Sequence, residues 1–131
     1  MSAKKILIVE DEPTLRKTFG LLLQDRYKVS TVPSGRDALQ RFRKAKLDLI
    51  ITDLRLKEMS GLDLIERFRA AGYDGDVILV SGYPEEVDTQ VLLDLSIGYF
   101  FAKPLDLDEL YSAVEYLLDT HLWHEKRIAS I

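Results

Sequence analysis

The short segment that ends on Asp53 constrains the fold of this chain more than any other. Leu49, Ile50 and Ile51 predict a strand that is buried on both faces, and this strand ends on a carboxylate. Because a strand covered on both faces cannot hold a charge in its middle, Asp53 must emerge where the sheet meets water. In open α/β sheets that place, at the carboxyl ends of the strands, is where ligands bind.

Four further apolar segments predict strands, at residues 6–9, 27–32, 77–80 and 99–102. A helical pattern follows every predicted strand. Ser34 and Asp106 are the predicted N-caps of the second and fifth helices, and Pro84 is the predicted first residue of the fourth. Five strands alternating with five helices predict an α/β fold, a doubly wound five-stranded parallel sheet with the flavodoxin-like strand order 2-1-3-4-5.

The composition narrows the class of protein. The 131 residues contain no internal repeat and no cysteine, which predicts one domain without disulfides or thiolate metal sites. No apolar run approaches a membrane span, and the amino terminus leads straight into a strand, so we expect a cytoplasmic protein that does not enter a membrane. A net charge of −4 without a long basic run argues against direct nucleic-acid binding by this domain.

Polar side chains lie at the ends of four of the five predicted strands. Glu10 and Asp11 follow the first strand, Asp53 ends the third, Ser81 ends the fourth, and Lys103 follows the fifth. In the strand order 2-1-3-4-5 these four strands are neighbours. We therefore expect the five side chains to converge at one edge of the sheet.

Three carboxylates that lie together repel one another unless a cation neutralises them. Magnesium is the expected ion, because it takes oxygen ligands and commonly combines one or two carboxylates with a phosphate. The predicted site has no histidine or cysteine, which argues against zinc or copper. With Lys103 as a mobile positive charge and Ser81 as a hydroxyl donor, Asp53 has the surroundings that an aspartyl phosphate requires.

At these residues the sequence resembles the response-regulator receiver domains of two-component signalling. The resemblance covers residues 4–120 and rests on four motifs in the order and spacing of that family: Glu10-Asp11, Asp53 with Gly61 eight residues later, Ser81-Gly82 and Lys103-Pro104. It implies that residues 1–120 form a receiver domain that acts as a signalling switch and not as an enzyme. In the family the bond before the proline that matches Pro104 is usually cis.

The resemblance also implies a role for each site residue. Asp53 would accept a phosphoryl group from a phosphohistidine on a sensor histidine kinase or phosphotransfer protein. Magnesium would be held by four oxygen-bearing groups: Glu10, Asp11, Asp53 and the backbone carbonyl of Arg55. Ser81 and Lys103 would contact the phosphate.

The family further implies how the signal leaves the site. Ser81 would move toward the phosphate and Phe100 would swing inward, which changes the partners of the surface formed by the fourth helix, fifth strand and fifth helix. The alternative is that Phe100 is only a core aromatic. Both interpretations stay open at the level of the sequence.

The sequence departs from the family pattern at several positions. Lys57 stands where proline is common, Ser96 stands where glycine is common before the fifth strand, and Phe100 lacks the hydroxyl of the commoner tyrosine. Arg55 and Tyr83 match positions that tune the lifetime of the phosphoryl group, and a bulky pair there is expected to screen Asp53 from water. Equal lifetimes in Arg55→Ala, Tyr83→Ala and the wild type would remove this hypothesis.

Residues 121–131 are predicted to be a helical extension or linker that leads to a homodimer contact or to a downstream output domain. Trp123 on such a helix favours a contact over free solvent. His121 and His124 have a spacing that can bind metal, but two ligands do not make a site.

Three other functions fit the same fold class. A flavodoxin-type FMN protein needs phosphate-binding groups after the first strand, where Glu10 and Asp11 repel phosphate instead. A haloacid-dehalogenase-like phosphatase needs a second acid two residues after the nucleophile, where Arg55 stands. A receiver-fold interaction module that works without phosphorylation is the strongest alternative.

Overall fold

The computed structural model describes residues 3–119 as one sheet flanked by helices. Its strands are β1 (Lys5–Val9), β2 (Lys28–Val32), β3 (Leu49–Asp53), β4 (Asp76–Ser81) and β5 (Tyr99–Ala102). Its helices are α1 (Pro13–Leu23), α2 (Gly35–Phe42), α3 (Gly61–Ala70), α4 (Thr89–Asp94) and α5 (Leu107–Leu118). The predicted extension at 121–131, with His121, Trp123 and His124, lies outside the described residues.

The five strands are all parallel and lie in the order β2-β1-β3-β4-β5, which confirms the predicted topology. The register aligns their carboxyl ends, because Asp53 lies opposite Val80 and Ser81 lies opposite Ala102. The loops that leave these strand ends therefore share one edge of the sheet.

Two apolar layers cover the sheet because successive side chains of a strand point to opposite faces. Ile6 and Ile8 of β1 pack on one face with residues of α1 and α5, whereas Leu7 and Val9 pack on the other face with residues of α2 and α3. Val9 and its three predecessors are almost fully buried. Within residues 3–119, no helix has both the length and the apolar character that crossing a membrane requires.

Side-chain caps start the helices directly after the strand ends. The Ser34 hydroxyl accepts a hydrogen bond from the Asp37 N–H, and the Asp106 carboxylate accepts one from the Asp108 N–H, as their spacing predicts. Short, capped connections leave little freedom to the groups at this edge.

The fourth helix differs from the sequence prediction, which placed its start at Pro84. Pro84–Glu86 forms a single 3₁₀ turn, and α4 begins only at Thr89. Asp88 accounts for the later start of α4. Its backbone is extended, and its side chain accepts a hydrogen bond from the Gln90 N–H, which caps a helix that begins at Thr89. In addition, α4 buries no residue, so packing does not lengthen it.

One arginine ties α4 to the rest of the fold. Arg69 of α3 donates to the carbonyl groups of Leu95 at 3.0 Å and Ser96 at 3.2 Å, just after α4, and to that of Gly75 at 2.7 Å, just before β4. Ser96 has φ of 56°, a left-handed conformation that explains why glycine is the commoner residue at the matching position.

Candidate functional site

Four strand ends bring acidic, basic and hydroxyl side chains together, as the sequence predicts. The Lys103 ammonium lies 2.9 Å from Asp53 Oδ2 and 3.3 Å from Glu10 Oε1. Lys103 follows β5, and β4 lies between β5 and β3. The Lys103 side chain therefore reaches across β4 to contact Asp53. Ser81 is fully buried at the end of β4, one residue beyond the partner of Asp53.

Glu10, Asp11 and Asp53 form an acidic cluster in which one carboxylate oxygen of each residue lies within 4.8 Å of those of the other two. Glu10 is held in place twice: its carbonyl accepts a hydrogen bond from Arg16 at 2.9 Å, and its carboxylate accepts the Glu12 N–H at 3.1 Å. Burial raises the pKa of Glu10; the Glu12 N–H opposes this rise, and the negative charge of Asp53 adds to it. The cluster thus carries an electrostatic cost that a cation offsets.

Lys103 is the one cation that contacts these carboxylates within residues 3–119. Its backbone N–H donates to the Ser81 carbonyl at 2.7 Å, and the bond to Pro104 is cis, as expected from the family. Burial opposes the charged form of Lys103, but the hydrogen bond and negative charge of Asp53, with those of Glu10, outweigh it and raise the pKa of the ammonium.

The donor set fits magnesium. The cluster has three carboxylates, and one ammonium pairs with two of them, Glu10 and Asp53. This leaves negative charge for a divalent ion, and the side-chain atoms that could bind the ion are all oxygens. Arg55 and Ser60 form an isolated antiparallel bridge. The hydrogen bonds of this bridge are accepted by the carbonyls of Leu54 and Met59, so the Arg55 carbonyl is not one of its acceptors.

Gly61 makes the tight path of this loop possible. A Cβ at this position would collide with the Asp53 carbonyl oxygen, so the first turn of α3 packs directly on the end of β3. Close backbone approach thereby explains why a glycine stands eight residues after Asp53.

The two predicted switch residues have different surroundings. The Ser81 hydroxyl oxygen accepts a hydrogen bond from the Tyr83 N–H at 2.8 Å. Phe100 is half-buried, whereas its neighbours Tyr99 and Phe101 pack against the core on the side of α1 and α5. Phe100 therefore points to the opposite face and is not a fully buried core aromatic.

Arg55 joins the loop after β3 to the loop after β4. Its guanidinium carbon lies 3.8 Å from the centre of the Tyr83 ring, and its Nε donates to Glu86 Oε2 at 3.2 Å. A second bond joins Nη2 to Glu86 Oε1, and the hydrogen bond with Glu86 raises the pKa of Arg55. The sequence indicated a role for Arg55 and Tyr83 but not for Glu86. The predicted helix that starts at Pro84 gave no reason to expect the Glu86 side chain to point toward β3.

Sequence reasoning also missed Arg16 and Arg69. Arg16 bonds a backbone carbonyl beside the acidic cluster, and Arg69 bonds carbonyls that follow α4. Contacts to carbonyl groups depend on tertiary packing and leave no residue pattern in the sequence.

Comparisons with known proteins agree on one family. The family model described as response regulator receiver domain matches residues 6–115. The transcriptional regulatory protein GlrR of Escherichia coli (strain K12) is 33% identical over 115 residues, which make up 87% of this chain and 26% of that protein. This chain spans 26% to 50% of the length of the curated relatives that it matches.

Solved structures resemble the chain over nearly the whole of their own length. The response regulator TrrA from Thermotoga maritima, in complex with Mg(2+)-BeF, is 30% identical with a TM-score of 0.77, and the match covers 88% of this chain and 99% of that one. A CheY-like receiver domain protein from Methanospirillum hungatei JF-1 has a TM-score of 0.82 at 22% identity, covering 94% and 99%, which shows the shared fold.

Proposed function

Because the chain belongs to the response regulator receiver domain family, we propose that Asp53 accepts a phosphoryl group and that the chain is a phosphorylation-controlled signalling switch. One observation carries the proposal: Asp53 lies in a cluster of three carboxylates with Lys103 at 2.9 Å. That cluster combines an oxygen nucleophile, a place for a divalent cation and a mobile ammonium.

In the proposed reaction an Asp53 carboxylate oxygen attacks the phosphorus of a phosphohistidine on the partner kinase or phosphotransfer protein. The new O–P bond forms as the N–P bond breaks, and the histidine nitrogen keeps the electron pair. Lys103 shifts from Asp53 Oδ2 to a phosphoryl oxygen, and the Ser81 hydroxyl donates to another.

The magnesium ligands in this proposal are Glu10, Asp11, Asp53 and the backbone carbonyl of Arg55. When bound, the ion supplies positive charge for the phosphoryl oxygens. The family relationship to TrrA, whose structure contains Mg(2+)-BeF, supports this assignment.

The output is proposed to pass through the surface of α4, β5 and α5. Since the matched curated relatives include transcriptional regulators that are longer than this chain, we propose that this surface meets an output domain, a separate output protein or a second copy of the chain. Such a switch turns over no small-molecule substrate.

The test is the intact mass after incubation with acetyl phosphate and Mg²⁺. We expect a magnesium-dependent gain of one phosphoryl group in the wild type and in Glu66→Gln, an exposed acid of α3, and no gain in Asp53→Ala. If the folded wild type gains no mass, the protein is instead a receiver-fold interaction module that works without phosphorylation.

A further inference from the structure

The bond between Arg55 and Glu86 connects the acceptor segment to the segment that carries Ser81. Arg55 lies two residues after Asp53, and Glu86 lies five residues after Ser81. The carboxylate receives two hydrogen bonds from the guanidinium, which also stacks on Tyr83. A planar, two-pronged contact of this kind fixes orientation as well as charge.

The same segment holds the Ser81 hydroxyl. Its oxygen accepts the Tyr83 N–H, and Tyr83 is the residue on which Arg55 stacks. A movement of the Tyr83 backbone away from the loop after β3 therefore disturbs both the contact of its ring with Arg55 and the hydrogen bond from its N–H to Ser81. The guanidinium is thus mechanically linked to the hydroxyl.

Arg55 is also within reach of a group bound to Asp53. Two residues of chain span at most about 7 Å between Cα atoms, a distance that an arginine side chain can cover. The guanidinium fork suits phosphate as well as carboxylate. A phosphoryl group on Asp53 carries about −1.5 to −2 charges near neutral pH, more than the single charge of Glu86.

Resting on the proposed phosphorylation of Asp53, we propose that Arg55 exchanges partners, binding Glu86 before phosphorylation and the phosphoryl group afterwards. The exchange frees residues 82–88 from β3, which lets the Ser81 hydroxyl leave the Tyr83 N–H and turn to the phosphoryl group. The side chains of Arg55 and Glu86 are 55% and 42% exposed, so water can replace either contact and the exchange is easy.

The proposal makes Glu86 a positioning residue that favours the unphosphorylated state. Removing its charge removes a contact that exists only in that state, and linkage then favours the phosphorylated one. Glu85 is the matched control, because it is an exposed acid of the same 3₁₀ turn and makes no hydrogen bond to Arg55 within residues 3–119.

The experiment measures the affinity of the full chain for beryllofluoride, a phosphoryl analogue, by calorimetry in saturating Mg²⁺. We expect Glu86→Gln to bind about two- to fivefold more tightly than the wild type and Glu85→Gln to bind like the wild type. In an Arg55→Gln background, the change at Glu86 is expected to have no further effect, because its partner is already absent.

Hydrogen exchange gives an independent measurement on the same proteins. Before any ligand is added, the amides of residues 82–88 are expected to exchange faster in Glu86→Gln than in the wild type or in Glu85→Gln. In the wild type, beryllofluoride is expected to speed the exchange of these amides as well.

The outcomes separate the two proposals. If the wild type binds beryllofluoride but Glu86→Gln binds it with the same affinity, the partner exchange is overturned and the proposed function stands. If the wild type binds no beryllofluoride and Asp53→Ala behaves identically, the proposed function fails, and the partner exchange fails with it.

Discussion

Single charges around Asp53 decide how the site responds to pH and to ions. Glu10 is buried beside Asp53, and Lys103 lies between the two carboxylates. Glu10 and Lys103 carry opposite charges, and each perturbs the ionisation of the other. We therefore expect the neutralisation of Glu10 and the neutralisation of Lys103 to change the stability of the protein in opposite directions. Two substitutions test this balance.

Glu10→Gln is expected to stabilise the protein at pH 7 in EDTA by about 1 kcal/mol. Burial raises the pKa of Glu10 in the folded state above its value in the unfolded state. The neutral form of Glu10 therefore contributes to the stability of the wild type fully below the unfolded-state pKa, and this contribution is lost as the pH rises through the folded-state pKa. The gain should therefore disappear near pH 4 and below, where the wild type is also protonated. Urea unfolding at both pH values measures this.

Magnesium supplies the control for Glu10→Gln. Saturating Mg²⁺ should stabilise the wild type more than the variant, because the variant has lost one proposed ligand. A variant that is less stable than the wild type at pH 7 in EDTA would contradict the electrostatic interpretation of the cluster.

Lys103→Met is expected to have the opposite effect and to destabilise the protein in EDTA by about 2 kcal/mol. The substitution leaves Asp53 and Glu10 without their shared cation, and the loss is less than for a fully buried pair because Lys103 is only half-buried. Added Mg²⁺ should restore most of the stability. Thermal unfolding with and without the ion measures both effects, and an equal loss in both conditions would count against a cation site.

At the scale of helices and strands, burial decides what the sequence could predict. The five strands follow from apolar runs such as Leu49 to Ile51, which only a sheet covered on both faces accommodates. Their order follows from the alternation of five strands with five helices in a doubly wound, flavodoxin-like fold. The site residues follow from the same runs, since each polar group marks the end of one. Their position is thus as predictable as the strands themselves.

The fourth helix was the least predictable element for the same reason. It buries no side chain, so the choice between a start at Pro84 and a start at Thr89 rests on a local competition won by Asp88. The contacts of Arg69 and Glu86 could not be predicted from the sequence, because they depend on how loops that are separate in the sequence pack together.

Arg69→Met is expected to destabilise the protein by about 2 kcal/mol, because the carbonyls of Leu95, Ser96 and Gly75 lose a charged donor. We expect α4 to lose stability first, because few other contacts hold it to the rest of the fold. Hydrogen exchange should therefore speed up at residues 89–98 before the rest of the sheet. Arg67→Met, on the exposed side of α3, is the control and should change little; equal effects of the two variants would refute the anchoring role of Arg69.

At the scale of the whole molecule, the two ends of the sheet differ in charge. The loops that follow the strands hold the acidic cluster and further acids such as Glu58, Glu85 and Glu86. The opposite end has the basic turn after α2, with Arg43, Lys44 and Lys46. An anionic phosphodonor therefore approaches the acidic end against repulsion.

Salt is expected to speed phosphoryl uptake from acetyl phosphate at saturating Mg²⁺ by about twofold between 0.01 M and 0.15 M, where the Debye length falls from about 30 Å to about 8 Å. Glu58→Gln, which removes an exposed acid from the loop after β3, should take up the phosphoryl group faster than the wild type at low salt, whereas Lys44→Gln at the opposite end of the sheet should not. Initial rates by intact mass measure this, and a rate that falls with added salt would contradict it.

The separation of the two ends has a consequence for engineering. The turn at residues 43–47 is mostly exposed, lies opposite the edge that holds the acidic cluster and contributes no group to it. Exposed turns of this kind tolerate inserted chain. A fluorescent protein or a peptide tag placed there is expected to leave the candidate site untouched, so this turn is where the chain can be labelled while the proposed phosphorylation of Asp53 is followed.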